Sequence, residues 1–308
     1  MTNWRPSGRI EWLHRRARVQ QRIRDFFADR SVTEVSTPLI TPAGVTEPHI
    51  ESLSIAGVPG YLRTSPEYFH KRLLASGFGD LYELGPVLRA GEHGREHRTE
   101  FTMLEWYRLG MDWQQLADET VDLVIACDRR RKPAWRVQRI AWRQLFIQIL
   151  DFDPLEAPDR TIQAATPDLP AACDRQMRLD YLLGTQIQSG FSADQLTVVH
   201  HFPAEQAALA QLDPEDPRLA LRFEIYAGRI ELANGYQELT DPVEQGQRFE
   251  QDNAVRRSRG QPPMPVDEGL LAALSHGLPA CSGVALGIDR LMMALLAADD
   301  LSEVVTFA

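Results

Sequence analysis

Two arginines and several carboxylates stand on separate segments of the chain, and together they are the groups that phosphate chemistry requires. Arg89 follows a segment of alternating hydropathy, and Arg290 lies in the first turn of an otherwise apolar helix. A cation there opposes the helix dipole, so we expect an anion near Arg290. Glu231 and Glu238 lie on a further segment, and Mg²⁺ prefers carboxylate and phosphate oxygens. Such a set fits phosphoryl or nucleotidyl transfer, in which cations face the phosphates and acids hold the metal.

Familiar nucleotide-binding motifs do not account for these charges. The sequence contains neither a GxxxxGK[ST] loop nor a GxGxxG run after a strand, which excludes a P-loop and a dinucleotide-binding fold. Each charged pair, taken alone, is equally compatible with a structural salt bridge. The pattern by itself therefore leaves a nucleotide site and a purely structural network both open.

The segment 84–107 would position many of these groups, and it reads as strand, loop, strand. Hydropathy alternates with a period of two on both sides of a charged loop from Arg89 to Glu100. The same period points Glu105 and Tyr107 to one face. The loop carries more charge than a tight turn needs, so the hairpin suits a polyanion.

Helices and extended segments on either side of this hairpin predict a single α+β domain around an antiparallel sheet. Ile10 to Arg30 is an amphipathic helix, Val32 to Pro42 an edge segment, and Leu221 to Leu239 a second hairpin. Weak periodicity and several prolines indicate that residues 133–195 are an elaboration on the core. No repeat and no long linker divides the 308 residues into independent domains.

Two shorter features carry local predictions. Ser65 and Glu67 stand where a helix begins, as N-cap and first-turn acid, and capping alone explains them. The strand before Arg290 carries Gly283, Ala285 and Gly287 on one face. Because glycine weakens a strand, this face predicts that something packs directly on the backbone.

Composition places the chain among globular proteins with an acidic balance. It has 44% hydrophobic residues and a formal charge of −10. No apolar run approaches the roughly 20 residues that cross a bilayer, and three scattered cysteines indicate neither a disulfide framework nor a zinc site. We therefore expect a cytoplasmic protein without membrane contact. An acidic partner would need a basic patch, for which the candidates are Arg15–Arg24 and Arg129–Arg143.

Over nearly its whole length the chain resembles the catalytic core of class II aminoacyl-tRNA synthetases, and the lysyl branch in particular. The resemblance rests on 27–38 with its Thr-Pro ending, on 85–107 with EFTMLEWY, and on GVALGIDRL at 283–291. GRIELANGYQEL at 228–239 is specific for the lysyl group. Few residues precede the first helix, so we expect no anticodon-reading OB-fold. TSPEYFHKRLL at 64–74 is similar to the stand-alone paralogues that join (R)-β-lysine to elongation factor P.

The resemblance implies ATP and Mg²⁺ as cofactors and gives each candidate residue a role. Arg89 and Arg290, as the catalytic residues, would hold the α- and γ-phosphates of a bent ATP, with Glu231 and Glu238 on Mg²⁺ and ribose. His97 and Phe101 would flank the adenine, and the rest of the nucleotide would contact Glu92, Leu232 and Gly287. The amino-acid pocket would be lined by Ser65, Glu67, Glu105, Tyr107, Asn234, Glu238 and Ala285.

This family membership would make the protein a ligase that activates (R)-β-lysine as an adenylate and transfers it to a lysine ε-amino group of elongation factor P. The fold further implies a homodimer, and tRNA would not be the acceptor. A diamino acid needs acids at both ends of its pocket, which the candidate set supplies. Ala285 stands where lysyl-tRNA synthetases usually have glycine, a change associated with the β-amino isomer.

Two alternatives stay open beside this interpretation. A truncated lysyl-tRNA synthetase-like enzyme would pass lysine to a small molecule or to tRNA, and a non-catalytic relative would act as a regulatory module. Two departures from the family pattern lie in the charged loop. Arg98-Thr99 replaces the usual Asn-Pro after His97, and Gly91 stands directly before Glu92, where synthetases have the acid one place earlier. Both alter the part of the loop expected to meet adenine.

Overall fold

The computed structural model describes residues 4–128 and 134–308, in which helices and strands are interspersed along the chain. The strands are β1 (Thr33–Glu34), β2 (Ile40–Thr41), β3 (Tyr61–Leu62), β4 (Leu81–Leu88), β5 (Glu100–Leu109), β6 (Arg136–Ala141), β7 (Gln195–Pro203), β8 (Leu219–Ala227), β9 (Ile230–Gln237) and β10 (Cys281–Gly287). The helices are α1 (Ile10–Ala28), α2 (Glu67–Ala75), α3 (Trp113–Cys127), α4 (Trp142–Leu150), α5 (Asp159–Ala165), α6 (Arg175–Leu182), α7 (Pro242–Ser258), α8 (Glu268–Gly277) and α9 (Ile288–Leu296). Among the residues described, no helix has both the length and the apolar character needed to cross a bilayer.

One eight-stranded sheet, in the order β1-β4-β5-β10-β9-β8-β7-β6, forms the centre of the fold. Both predicted hairpins are confirmed, as β4-β5 and β8-β9. From β4 to β7 every neighbouring pair is antiparallel, as predicted, whereas β1 pairs with β4 and β6 with β7 in parallel. Parallel neighbours need a long crossover, which α2 supplies between β1 and β4 and α4 to α6 supply between β6 and β7. The fold is therefore α+β, but its sheet is antiparallel only in the centre.

Strand register lines up five residues in one row across the middle of this sheet. Glu83 on β4 faces Glu105 on β5, which faces Ala285 on β10. Ala285 faces Asn234 on β9, which in turn faces Glu224 on β8. Directly opposed residues point to the same side of a sheet. One face therefore carries three carboxyl groups and one amide, with only a methyl group between them.

The other face of the sheet is covered by α1, α3 and α9, which pack into the larger of the apolar clusters. The ring of Phe27 stacks on Tyr82 at 4.4 Å and meets Trp106 edge-on at 5.4 Å. Arg16 on α1 pairs with Asp289 on α9 at 2.5 Å and donates to the Thr102 hydroxyl on β5 at 2.9 Å. This bridge fixes the start of α9, where Arg290 is placed.

The segment 133–195 contains both sheet and helical structure. β6 adds a strand to the far edge of the sheet, while α4 and α6 pack against β7 and β8 in a second apolar cluster around Trp142 and Phe146. Because the cluster is built on the same sheet, the segment is continuous with the core rather than separate from it. Its description as an elaboration of a single domain stays a prediction.

The carboxylate of Glu83 joins the sheet to the elements on its polar face. It accepts hydrogen bonds from the Thr37 hydroxyl at 2.8 Å, pairs with Arg63 at 2.7 Å and lies 3.1 Å from Nε2 of His70 on α2. Burial alone would raise the pKa of Glu83, but the bonds from His70, Arg63 and Thr37 lower it to about 2. The side chain is almost fully buried, so its partners cannot be replaced by water.

Replacing Glu83 with Gln should lower the free energy of unfolding by about 3–5 kcal/mol at pH 7, because it leaves the buried Arg63 guanidinium without its counter-ion. The depressed pKa means that the carboxylate contributes stability above its ordinary pKa of 4.5 and loses it as the pH falls toward 2. The difference between variant and wild type should therefore shrink below about pH 4.5. Urea unfolding at several pH values measures both effects.

The matched control for this substitution is Glu156→Gln, which breaks an exposed pair with Arg218 of 2.7 Å. Exposed pairs contribute less than about 1 kcal/mol. Equal losses in the two variants, or a Glu83→Gln effect independent of pH, would contradict the assignment of Glu83 as the buried anchor.

Candidate functional site

A cavity of about 620 Å³ opens on the polar face of the sheet and contains nearly all the residues singled out from the sequence. The residues predicted to hold ATP all line it, namely Arg89, Glu92, His97, Phe101, Glu231, Leu232, Gly287 and Arg290. From the predicted amino-acid pocket it contains Ser65, Glu67, Glu105, Tyr107, Asn234 and Ala285. Glu238 is the exception and does not line the cavity.

Arg89 lies directly after β4 and is held mainly by backbone groups. Its N–H donates to the Thr99 carbonyl at 2.8 Å, and its guanidinium donates to the Thr64 carbonyl at 3.3 Å. The guanidinium also lies over the ring of Phe101, at 5.3 Å from the centroid. Burial lowers its pKa, and within the described residues no carboxylate pairs with it. An anionic ligand would supply the missing counter-charge.

Arg290 at the start of α9 is surrounded by the charged loop and by β9. Its guanidinium donates to the carbonyl of Glu96 at 3.2 Å, lies 2.6 Å from Nε2 of His97, and is 3.4 Å from the carboxylate of Glu231. The anion expected near this cation is therefore partly supplied by the protein. Its side chain stays 23% exposed on the cavity side, so a phosphate can also reach it.

A β-bulge between β8 and β9 turns Glu231 toward the cavity. The register pairs Glu224 with Asn234 and then Tyr226 with Glu231, which leaves Leu232 as the extra residue. Glu231 and Asn234 are three positions apart, so in a regular strand they would point to opposite faces. The bulge restores both to one face, as bulges beside functional sites commonly do.

Glu224 is a site candidate that the sequence analysis missed. It lines the same cavity, pairs with Arg222 at 2.6 Å and accepts a hydrogen bond from the Tyr226 hydroxyl. Burial raises its pKa to about 7, and the carboxylate of Glu231 adds to this rise against the opposing effect of Arg222. Two carboxylates that repel each other are a suitable donor pair for a divalent cation. The alternation of Arg222, Glu224 and Tyr226 in a predicted strand was the signal available in the sequence.

The structure does not place Glu238 beside Glu231, although the sequence analysis predicted that these two acids share Mg²⁺; that assignment stays a prediction. Seven residues of β9 and its continuation separate them, and at about 3.3 Å per residue their backbones lie roughly 20 Å apart. Glu238 is 0% exposed and pairs with Lys71 at 2.6 Å. The acid that the fold places near Glu231 is Glu224.

The predicted amino-acid pocket is a hydrogen-bonded set of buried groups. The Ser65 hydroxyl donates to Glu105 at 2.7 Å and accepts from the N–H of Glu67 at 3.0 Å. The N-cap of α2 is Pro66 rather than the predicted Ser65, but Ser65 still binds the first N–H of the helix while it positions a pocket acid. The Tyr107 hydroxyl donates to the other Glu105 oxygen at 3.0 Å. Burial and the nearby Glu67 raise the pKa of Glu105 to about 8. A cationic ligand would favour the ionised form of Glu105, so the pocket becomes strongly anionic when such a ligand binds.

Lys71 on α2 lies between two of these acids, and the sequence analysis gave it no role. Its ammonium contacts Glu67 at 2.7 Å and Glu238 at 2.6 Å while the residue is only 1% exposed. Burial would lower its pKa, but Glu238 and Glu67 outweigh this and raise it. Burial raises the pKa of Glu238 to about 8 despite Lys71. The carboxyl oxygen Oε1 of Glu238 has no hydrogen-bond partner among the described residues.

Small residues on β10 let the side chains of neighbouring strands close over the backbone. A Cβ atom added at Gly283 would lie 2.3 Å from Cε1 of Tyr107 and 2.3 Å from Oε1 of Glu238. The prediction that something packs on this face is confirmed, and the packing groups belong to the protein itself. Ala285, between Glu105 and Asn234, places a methyl group on the floor of the cavity.

The two basic patches predicted for an acidic partner are largely neutralised by the protein's own acids. In the first, Arg15, Arg16 and Arg24 pair with Asp128, Asp289 and Glu34. In the second, the arginines at 136, 139 and 143 pair with Asp194, Asp118 and Asp153. Residues 129–132 lie outside the described residues. The prediction that these patches receive the partner thus has no support from the part that is described.

Comparison with known proteins identifies the family to which this arrangement belongs. The family model for class II tRNA synthetases (D, K and N) matches residues 3–308. A protein of Yersinia enterocolitica named elongation factor P--(R)-beta-lysine ligase is 45% identical, with 99% of this chain and 97% of that protein covered. Proteins of the same name from Klebsiella pneumoniae and Vibrio parahaemolyticus are 46% and 44% identical, also over 99% of this chain and over 97% and 98% of their own lengths. The chain therefore belongs to the class II tRNA synthetases.

Proposed function

We propose that the protein is an ATP-dependent ligase that activates (R)-β-lysine and attaches it to a lysine of elongation factor P. The names of relatives at 45% identity over 99% of the chain support this acceptor and this amino acid. The single observation that carries the proposal is the buried acidic pocket beside two cavity arginines. Glu67, Glu105 and Glu238 outnumber their one cation, Lys71, by two charges, which matches the two ammonium groups of a diamino acid.

The reaction would proceed in two displacements. A carboxylate oxygen of the amino acid attacks the α-phosphorus of ATP, the bond to the bridging oxygen of pyrophosphate breaks, and an aminoacyl-adenylate remains. The acceptor ε-amino nitrogen then attacks the carbonyl carbon, the bond to the AMP oxygen breaks, and the nitrogen loses a proton. The first nucleophile is already ionised, so the protein needs to align the reactants and to stabilise phosphate charge rather than to supply a base.

The nucleotide would occupy the end of the cavity that holds the arginines. Arg89 would hold the α-phosphate and Arg290 the γ-phosphate, because both guanidinium groups face the cavity from different elements. Glu231 and Glu224 would hold Mg²⁺, since they are the acids that the bulged hairpin brings together. Bound Mg²⁺ would neutralise charge on the phosphate oxygens. The ring of Phe101 lies under the Arg89 guanidinium, and together with His97 it would flank the adenine.

Several finer assignments belong to the same proposal. The methyl group of Ala285 would favour the β-amino isomer, worth about 1–3 kcal/mol of discrimination in a tight pocket. The edge strand β1 with the exposed Leu39 and Ile40 beside it is the surface we propose for a homodimer. The cytoplasm, where translation factors act, would be the place of reaction.

Transfer to a purified acceptor is the first test of this function. ATP–pyrophosphate exchange should depend on (R)-β-lysine, and label from that amino acid should then appear on elongation factor P. Arg89→Ala should reduce the exchange rate by about a hundredfold or more, because a buried charge at the reacting phosphate is lost. Charging of tRNA without charging of elongation factor P would favour the truncated-synthetase alternative. Absence of any exchange would favour a regulatory module.

The metal assignment can be tested separately with Glu224→Gln. We expect the Mg²⁺ concentration for half-maximal exchange to rise about tenfold or more, since one of two carboxylate ligands is lost. Glu238→Gln is the matched control, because this acid lies away from the cavity arginines and pairs with Lys71. It should raise the KM for the amino acid and leave the Mg²⁺ dependence unchanged. The reverse pattern would restore the earlier assignment of Glu238.

Binding of the diamino acid should release protons at pH 7. Burial and the nearby Glu67 raise the pKa of Glu105 to about 8, so its carboxyl group holds a proton in the empty pocket below that pH. The ammonium groups of the ligand favour the ionised form, so affinity should rise from pH 6 to pH 8. Calorimetric titration with (R)-β-lysine in buffers of different ionisation enthalpy measures the release, and Glu105→Gln should diminish it. A binding enthalpy independent of the buffer would contradict this account.

A further inference from the structure

The cavity continues beyond the amino-acid pocket to a mouth that neither ATP nor the amino acid accounts for. Loop 45–50, helix α6, the segment 204–209 and helix α7 surround this mouth. Four acids line it, Glu47, Asp180, Glu205 and Asp252. We refer to these four residues as the acidic mouth. Helices α6 and α7 follow β6 and β9 on one half of the sheet, while loop 45–50 leads to Glu51, whose carbonyl accepts the N–H of Ala90, next to Arg89, at 2.9 Å.

In the described part of the chain, the acids of the mouth are not held by ion pairs. Among the described residues none of the four forms an ion pair, although arginines elsewhere pair widely with surface acids. Asp180 accepts hydrogen bonds only from the amide groups of Gln176 and Gln206. Burial raises its pKa. Arg222 and His49 act against this rise, as Arg248 and Arg256 do for the pKa of Asp252, but none of these cations forms an ion pair with the four acids among the described residues. The mouth therefore holds acids that no ion pair neutralises.

Asp252 on α7 connects the mouth to the amino-acid pocket. The Thr46 hydroxyl fixes its carboxylate at 2.7 Å. Burial raises its pKa to about 6, and the nearby Glu47 adds to the rise. Tyr68, which follows Glu67 on α2, also lines the cavity, and its pKa is raised by burial and then by Glu67 and Asp252. The Tyr68 side chain therefore lies close enough to Glu67 of the pocket and Asp252 of the mouth to feel both charges, so the pocket and the mouth adjoin at Tyr68.

Gln245 is a second and independent sign of a ligand. This residue on α7 lines the cavity and is only 1% exposed, yet its carbonyl oxygen Oε1 has no hydrogen-bond partner among the described residues. An unsatisfied buried acceptor is costly. A ligand with N–H donors entering past α7 would satisfy it, and a lysine ammonium has three such donors.

We infer that the acidic mouth receives the acceptor lysine and the protein loop that carries it. This inference rests on the proposed function and adds the location at which the protein substrate enters. A lysine side chain is a flexible, unbranched cation that can pass through a narrow opening and place its nitrogen at the adenylate. The acids would attract and orient the ammonium before it loses its proton. The same charges would repel the phosphates of a tRNA acceptor end, so the mouth favours a protein over a nucleic acid.

The test separates the two half-reactions in the full-length enzyme. Asp252→Asn keeps the shape of the side chain and its contact with Thr46 but removes the charge. ATP–pyrophosphate exchange with (R)-β-lysine should stay within about twofold of wild type, while the KM for purified elongation factor P should rise about tenfold. Asp180→Asn should act in the same direction. Added salt should raise the KM of the wild type more than that of either variant.

Glu250→Gln is the matched control, because Glu250 lies on the same helix, is exposed and does not line the cavity. It should leave both half-reactions unchanged. An unchanged KM for elongation factor P in both Asn variants, or an equal effect of Glu250→Gln, would overturn the inference. A wild-type enzyme that performs exchange but never modifies elongation factor P would instead contradict the proposed function.

Discussion

The interaction on which the site depends is the burial of three carboxyl groups around one lysine ammonium. Glu67 and Glu238 contact Lys71, while Glu105 is held by Ser65 and Tyr107. An excess of buried negative charge is unfavourable, and the raised pKa of Glu105 expresses that cost as a retained proton. A ligand with two ammonium groups relieves the same cost by replacing protons with its own charges. The proposed selectivity for a diamino acid therefore follows from the excess of buried carboxyl groups that is already present in the empty pocket.

The excess of buried carboxyl groups is compatible with a stable sheet because the strand register places each acid beside groups that donate hydrogen bonds to it. Glu83 stands next to Glu105 in the cross-strand row, yet its pKa is low because Arg63 and His70 satisfy it. His70 also approaches Glu105, with Nδ1 at 3.7 Å. The neighbouring carboxyl groups of Glu83 and Glu105 are both buried, so their pKa values differ because of the groups that bind them and not because of burial. Glu83, paired with Arg63, also holds α2 through His70. The carboxyl group of Glu105, whose pKa is raised, is left for the ligand.

Much of the fold could be predicted from the sequence, because alternation of hydropathy is a local property. The hairpins β4-β5 and β8-β9 and the small-residue strand before Arg290 were all visible in it. Register is not local, and the extra residue at Leu232 can be seen only when β8 and β9 are paired. The predicted metal pair of Glu231 and Glu238 left out Glu224 for this reason, because only the pairing of β8 with β9 brings Glu224 to the side of Glu231. Lys71 could not be predicted because lysine and arginine on a short helix usually face solvent, whereas here Lys71 is buried.

The distribution of charge within one cavity would explain how a nucleotide-binding fold selects the proposed protein acceptor. Arg89 and Arg290 line the part of the cavity proposed for the phosphates, while acids without ion pairs among the described residues line the mouth formed by loop 45–50, α6 and α7. A polyanionic acceptor would be attracted to the part proposed for the phosphates, where ATP already lies, and repelled from the mouth. Under the inference drawn above, the acids of the mouth would instead attract a lysine side chain toward the adenylate carbonyl. The acidic balance of the whole chain, at −10, is consistent with this interpretation, because an acidic protein does not attract polyanions in bulk.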